Sequence, residues 1–179
     1  MNLICNKINF SMKPSAFFDD YIYQSNKKDT YFCRLRGEQC ETVEGFLQEI
    51  SAALKFPSYF GWNWAALRDC LEDLTWLGCP HTIIILDQAD RFFQKDEQGE
   101  PQRRYEILLE VFYQVLAQWD KFPQRNSGTS LTFVFNTTNP EFLNELKITD
   151  ACCKEKVAVE NEKSKAILAE LSEHLRLSQ

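Results

Sequence analysis

Apolar and polar positions recur along this chain in two rhythms, and the points where one gives way to the other mark out the elements. From Tyr31 to Arg36 every second residue is aromatic or apolar, and Gly37 breaks the run, which predicts a strand ending in a turn. Val43, Phe46, Leu47, Ile50 and Leu54 follow at helical spacing, with Thr42 placed to cap that helix. His81 to Leu86 is a continuous, largely β-branched run, bounded by Gly78, Cys79 and Pro80 before it and Asp87 after it. Such a run predicts a strand buried on both faces of a sheet. Leu108, Val111, Phe112, Val115, Leu116 and Trp119 mark an amphipathic helix from about Gln102 to Asp120. Leu131 to Phe135 has the composition of a second buried strand. Polar, turn-rich stretches at Asp96 to Pro101 and Gln124 to Gly128 read as surface loops.

Strand, helix, helix, strand, helix, strand is the order of an α/β fold with a small parallel sheet and right-handed crossovers. The two ends are less periodic. A strand is expected from about Leu3 to Phe10, whereas Met12 to Asp29 has no clean period. After Asn139 and Pro140 the pattern predicts a short helix near Glu141 to Leu146, a strand at Lys156 to Val159, and a terminal helix from about Lys163 to Leu175. Ile167, Leu168, Leu171 and Leu175 would dock that last helix on the parent domain. The expected organisation is an N-terminal extension over 1–30, a domain over 31–138, and a C-terminal helical extension over 139–179 packed upon it.

Composition narrows the function. A chain of 179 residues with 44% hydrophobic and 13% aromatic content fills one domain, and two would be cramped. A net charge of -6 argues against a general nucleic-acid binder, because phosphate contacts need a clustered surplus of Lys and Arg. A partner held by charge is expected to be cationic. The apolar stretches near Leu3 and Ala16 are too short for a secretory signal and no run would cross a bilayer, so a cytoplasmic location is expected and a membrane is not. Seven cysteines without a C-x-x-C pair fit reduced thiols serving as small apolar fillers. With only His81 and His174 beside them, neither a metal site nor a cofactor is expected.

The most informative stretch runs from Pro57 to Leu74. If the segment after Gly61 is helical, Asn63, Leu67, Cys70, Leu71 and Leu74 share an inward face and Ala65, Asp69, Glu72 and Asp73 fall on the other. Asp69, Glu72 and Asp73 repel one another late in the helix, where the macrodipole disfavours negative charge, and Arg68 relieves part of this by pairing with Glu72. An acidic face is ordinarily just solvated surface. Here Tyr59, Phe60, Trp62 and Trp64 crowd the positions immediately before it, which turns the reading toward a recognition surface for something basic. Phe60 and Trp64 are expected to close the core, and Tyr59 and Trp62 to stand out as anchors. Pro57 restricts the loop, Gly61 would supply a positive φ, and Asn63 would cap the helix.

The pattern Pro-x-Tyr-[Tyr/Phe]-Gly-x-Asn-x-x-Ala-Leu-x-Asp-Cys-Leu at Pro57 to Leu71, followed by Pro80 with its strand and a closing apolar strand, resembles the barstar family of intracellular ribonuclease inhibitors. The resemblance covers roughly Tyr31 to Asn136. It implies a three-stranded parallel sheet flanked by helices, with an acidic helix and its preceding loop entering the basic active site of a nuclease. It further implies that Tyr59, Gly61, Asn63 and Asp69 shape or make the inhibitory contact, Asp69 lying among the enzyme's phosphate-binding cations. Ala65 stands in place of a second family acid, Arg68 where the best-known members carry tryptophan, and Gln114 roughly where a helix glutamate contributes. Glu72, Asp73 and Trp76, with Trp62, would supply the remaining contacts. The expected partner is a cognate protein toxin, a basic ribonuclease, met by a free monomer; the alternative is a toxin of another kind, or a regulatory partner, bound through a changed interface. An enzyme would need a phosphate loop, a nucleophile elbow or a metal-ligand cluster, and the sequence carries none of these motifs.

Overall fold

In the computed structural model, strands Lys7–Ser11 (β1), Thr30–Arg36 (β2), His81–Asp87 (β3) and Ser130–Asn136 (β4) form one parallel sheet in the order β1-β4-β3-β2. The helices are Ser15–Gln24 (α1), Val43–Leu54 (α2), Trp64–Asp73 (α3), Pro101–Lys121 (α4) and Pro140–Leu177 (α5). The structure describes residues 7–24, 29–96, 100–121 and 129–177, without the side chains of 20–24 and 164–177. Between β2 and β4 the order of elements is the one the apolar rhythm predicts. Thr42 caps α2 as expected, its side-chain oxygen accepting from Gly45 N at 3.0 Å.

The sheet has four strands, not three. β1 pairs with β4 from Lys7 opposite Thr132 to Ser11 opposite Asn136, and so becomes an edge. The expected Leu3 to Phe10 strand overlaps it from Lys7 onward, and its first residues lie outside those described.

Connectivity decides which helix covers which face. β2 to β3 and β3 to β4 step one way across the sheet, while β1 to β2 returns the other way. Right-handed crossovers therefore put α1 on the face opposite α2, α3 and α4. Phe18 of α1 is buried there with Ile83, Ile85 and Val134, and Phe32 packs alongside. The larger core fills the other face, where the ring of Phe112 stacks on Phe133 at 3.7 Å between centroids. Met12 to Asp29 hides α1 because, of the described side chains in that helix, Phe18 alone is buried.

α5 is one helix throughout, so Lys156 to Val159 is not a strand and no break separates the expected short and terminal helices. Cys153 and Val157 are buried four residues apart, a helical spacing, and the alternating β-branched pair Val157 and Val159 imitates a strand. α5 lies along α4: Tyr113 Oη donates to Asp150 at 2.6 Å, and Gln102 Nε2 to Thr149 Oγ1 at 2.5 Å. The side chains of Ile167, Leu168, Leu171, His174 and Leu175 lie outside the described residues.

Candidate functional site

The loop between α2 and α3 is built on rings packed edge-on and tilted against one another. Phe60 N donates to Pro57 O at 3.0 Å, turning the chain so that Phe60 points inward, edge-on to Phe56 at 4.9 Å. Phe60 is buried, and Trp64 is half-buried against Phe46 at 5.7 Å, so these two close the core. Tyr59 and Trp62 remain outside, 75% and 56% exposed, with Trp62 leaning on Phe60 at 5.1 Å.

The positive φ falls one residue later than expected. Trp62 takes it, at 54°, while Gly61 does not. Gly61 is needed for space instead: a Cβ there would come within 3.3 Å of Asn63 Nδ2 and 3.4 Å of the Ala66 methyl. Asn63 explains both facts. Its Oδ1 accepts from Ala66 N at 2.9 Å as the α3 cap, and its Nδ2 donates back to Gly61 O at 2.9 Å. One side chain thus fixes the angle between loop and helix and forces Trp62 through the left-handed region, at a cost of roughly 1–3 kcal/mol.

α3 is seated by Leu67, Cys70 and Leu71, with Leu74 beyond its end, all buried; Trp119 Nε1 donates to Leu71 O at 3.0 Å. The opposite face carries Ala65, which is exposed, and Asp69, whose side chain is 69% exposed. Arg68 is shared between two carboxylates: its Nη2 lies 3.3 Å from Asp69 Oδ1 and its Nε 3.7 Å from Glu72 Oε1. The contact to Glu72 is the expected one-turn pair; the contact to Asp69 is additional. Glu72 and Asp73 are half-buried rather than fully exposed. Burial, reinforced by Asp69 and opposed by Arg68 and Lys121, raises the Glu72 carboxyl above its ordinary value.

Between loop and helix lies a concavity of 250 Å³, lined by Tyr59, Phe60, Gly61, Asp69, Cys70 and Asp73 among others. Burial, with Asp69 and Asp73 beside it, pushes the Cys70 thiol up, so that wall stays uncharged at neutral pH. Two carboxylates, an aromatic ring and an apolar floor suit a guanidinium or ammonium group, by charge-assisted hydrogen bonds and by the ring quadrupole. Of the residues singled out in the sequence, Tyr59, Gly61, Asp69 and Asp73 meet here, while Trp62 flanks the loop and Asn63 holds its shape. Arg68, Glu72 and Gln114 meet in a second concavity on the other flank of α3. Trp76 joins neither: its Nε1 donates to Leu54 O at 2.9 Å and its ring stands edge-on to Phe56. The sequence reading missed the α5 residues Val157, Glu160 and Asn161, which wall the second concavity. The signal was the i, i+4 spacing of Cys153 and Val157.

The profile of the family described as "Barstar (barnase inhibitor)" matches residues 30–136. That span contains the loop and α3 whole, and leaves β1, α1 and α5 outside. No curated protein matches the chain. Among solved structures, Cdc6p from Pyrobaculum aerophilum is similar at 12% identity and a TM-score of 0.47, over 78% of this chain and 36% of that one. The ORC2 protein of Aeropyrum pernix is similar at 13% identity and a TM-score of 0.46, over 86% of this chain and 40% of that one. The chain thus spans well under half the length of either.

Proposed function

The chain belongs to the barstar family, and from that premise we propose that it is an intracellular inhibitor, an immunity protein that neutralises a ribonuclease toxin by occupying its basic active site. The observation that carries this reading is the convergence of Tyr59, Asp69 and Asp73 on one concavity beside a loop held rigid by Asn63. A rigid acidic surface binds a cationic cleft with little ordering cost, and opposite charge speeds the encounter while salt slows it. The inhibitory unit spans 31–138, and the protein works as a monomer in the cytoplasm, without cofactor or catalysis of its own. Among the described residues no helix is long and apolar enough to cross a membrane.

The test is inhibition of a basic ribonuclease, barnase first, by the purified protein. Stoichiometric inhibition that Asp69→Ala with Glu72→Ala abolishes supports the reading; full inhibition by that double variant moves the interface elsewhere. A second reading, a target that is not a ribonuclease, is favoured by Ala65 and by Arg68, which pairs with Asp69. Neutralisation of a co-encoded toxin lacking nuclease activity would select it.

A further inference from the structure

β1 is an edge of the sheet, and one bond fixes which way its peptide groups point. Thr137 N donates to Ser11 O at 3.1 Å, with Ser11 in register with Asn136, so the main chain of Ser11 faces β4. Peptide groups alternate along a strand, so Asn9 and Lys7 face β4 as well, while the N–H and C=O groups of Ile8 and Phe10 point off the sheet. Among the described residues no strand pairs with that edge. An open edge is a template for another strand, and Lys7–Ser11 runs in unbroken register without proline. Ile8 and Phe10 turn their side chains to the α4 side, where both pack against the larger core and Phe10 stacks on Phe135. Asn9 therefore turns to the α1 side. Its Nδ2 is the one buried side-chain polar atom among the described residues without a hydrogen-bond partner, a costly state.

Two β1 strands paired antiparallel about a two-fold axis through Asn9 satisfy all of these groups together. Ile8 then stands opposite Phe10 of the second copy, and the outward N–H and C=O groups of both edges bond to one another. Asn9 meets Asn9 of the second copy at a non-hydrogen-bonded position, with Cα atoms about 4.5 Å apart. A turn about the broad χ2 of each side chain lets the two carboxamides bond reciprocally, donor to acceptor. Any other register sets Asn9 against Lys7 or Ser11.

α5 carries a matching face. Lys7 and Ile8 border a cavity of 370 Å³ with Asp150, Lys154, Val157 and Ala158, so the helix passes beside β1. On its exposed side Lys147, Ala151, Lys154, Glu155, Ala158 and Glu162 follow at helical spacing. A two-fold axis between Lys154 and Glu155 sets Lys147 against Glu162 of the second copy, Ala151 against its Ala158, and Lys154 against its Glu155. Each opposition joins unlike charges or two methyl groups, so the helices can approach closely. Among the described residues Lys147, Lys154 and Glu155 make no ion pair.

We propose that the protein pairs with a second copy of itself through β1 and α5, forming one sheet continuous across both subunits. Both elements lie outside the family-matched span. The proposal does not rest on the inhibitor reading, and it leaves that reading's acting unit single. Arg68 and Glu72 of α3 border a different flank of α4 and α5 from the one β1 borders, so each copy keeps its loop and α3 open to a target of its own.

Analytical ultracentrifugation of the full chain is the test. A reversible dimer is expected at low salt, weakening as salt rises. Asn9→Asp, which sets two carboxylates on the axis, should raise the dissociation constant about tenfold. Lys154→Glu and Glu155→Lys, at exposed positions of α5, should each weaken pairing to a similar degree. The two together should restore the parental constant, because the exchanged charges meet again. The α5 variants decide the matter if Asn9→Asp disturbs β1. A parent chain that stays monomeric at every concentration overturns the proposal. So does a dimer that the single α5 variants leave unchanged, or one that the double variant fails to restore.

Discussion

Asn136 and Asp87, the last residues of β4 and β3, are hydrogen-bonded across 2.7 Å with only 1% and 2% of their surfaces exposed. The remaining capacity of Asn136 goes to the main chain of Lys13: Oδ1 accepts from Lys13 N at 3.0 Å and Nδ2 donates to Lys13 O at 2.9 Å. Thr137 N reaches Ser11 O at 3.1 Å, and Arg34 Nε stands 3.4 Å from Asp87 Oδ2. β1 and α1, outside the family-matched span, are thereby fastened to the strands inside it. In doubly wound sheets the crevice at the carboxyl ends of the strands, where connections diverge to opposite faces, is the usual ligand position. That divergence falls here between β1 and β4, and the main chain of Lys13 lies in it.

Asn136→Ala leaves a buried carboxylate oxygen and two main-chain groups of Lys13 without partners. Unsatisfied buried groups cost about 1–3 kcal/mol each before relaxation, so a loss of roughly 2–3 kcal/mol is expected. Urea denaturation reads it as a lowered midpoint at constant slope. A midpoint within error of the parent would show that β1 is held by strand pairing alone.

The loop can be tested apart from the fold. Trp62→Gly relieves the left-handed backbone but gives up the contact with Phe60 and adds chain entropy to the unfolded state. Stability is expected to change by less than about 1 kcal/mol, while affinity for the target falls at least tenfold. Asn63→Ala should behave differently, costing about 1 kcal/mol of stability through the lost cap and weakening binding through a loosened loop. Calorimetric unfolding alongside inhibition titrations separates the two; equal effects of both variants on stability would refute the division of labour.

Two carboxyl groups predict pH effects of opposite sign. The hydrogen bond from Arg36 holds Glu49 below its ordinary 4.5, against the pull of burial. Its contribution to stability is present above the unfolded value and lost as pH falls through the folded one. Asp150 is raised above 3.8, chiefly by burial, despite the hydrogen bond from Tyr113. Its contribution is present below the unfolded value and lost as pH rises through the folded one. Glu49→Gln should therefore be less stable than the parent at pH 7, with the gap closing in acid. Asp150→Asn should match or exceed the parent at pH 7 and lose that advantage below about pH 3.8. Unfolding midpoints from pH 3 to 7 decide both.

What could be read from the sequence followed burial. Ile83 to Leu86 are buried on both faces of a central strand, so composition alone betrayed them. β1 is a half-buried edge in which Ile8 and Phe10 alternate with polar residues, and its pairing with β4 joins positions more than a hundred residues apart. Asn63 was legible as a cap because capping is local chemistry. The left-handed residue was not, because Asn63 bonding back to Gly61 O decides that Trp62 and not Gly61 bends. The α5 wall left only a short local trace, the i, i+4 spacing of the buried Cys153 and Val157, and its position beside α3 depends on helix packing.

Arg68 decides between the two functional readings. In the free protein its Nη2 lies 3.3 Å from Asp69 Oδ1, so a basic target that binds this carboxylate competes with Arg68 for it. If the target is a ribonuclease engaged through Asp69, Arg68→Ala removes a competitor and a like charge. Association should then speed severalfold, most clearly at low salt, while Asp69→Ala costs about 2–5 kcal/mol of binding. If Arg68 is itself a contact of a changed interface, Arg68→Ala slows association or hastens dissociation, and Asp69→Ala matters less. The pair Arg68→Ala and Asp69→Ala, with the double variant, forms a thermodynamic cycle in which the two readings predict coupling of opposite sign. Stopped-flow association at two salt concentrations distinguishes them, because the release of a self-paired aspartate and the loss of a contact arginine move the on-rate in opposite directions.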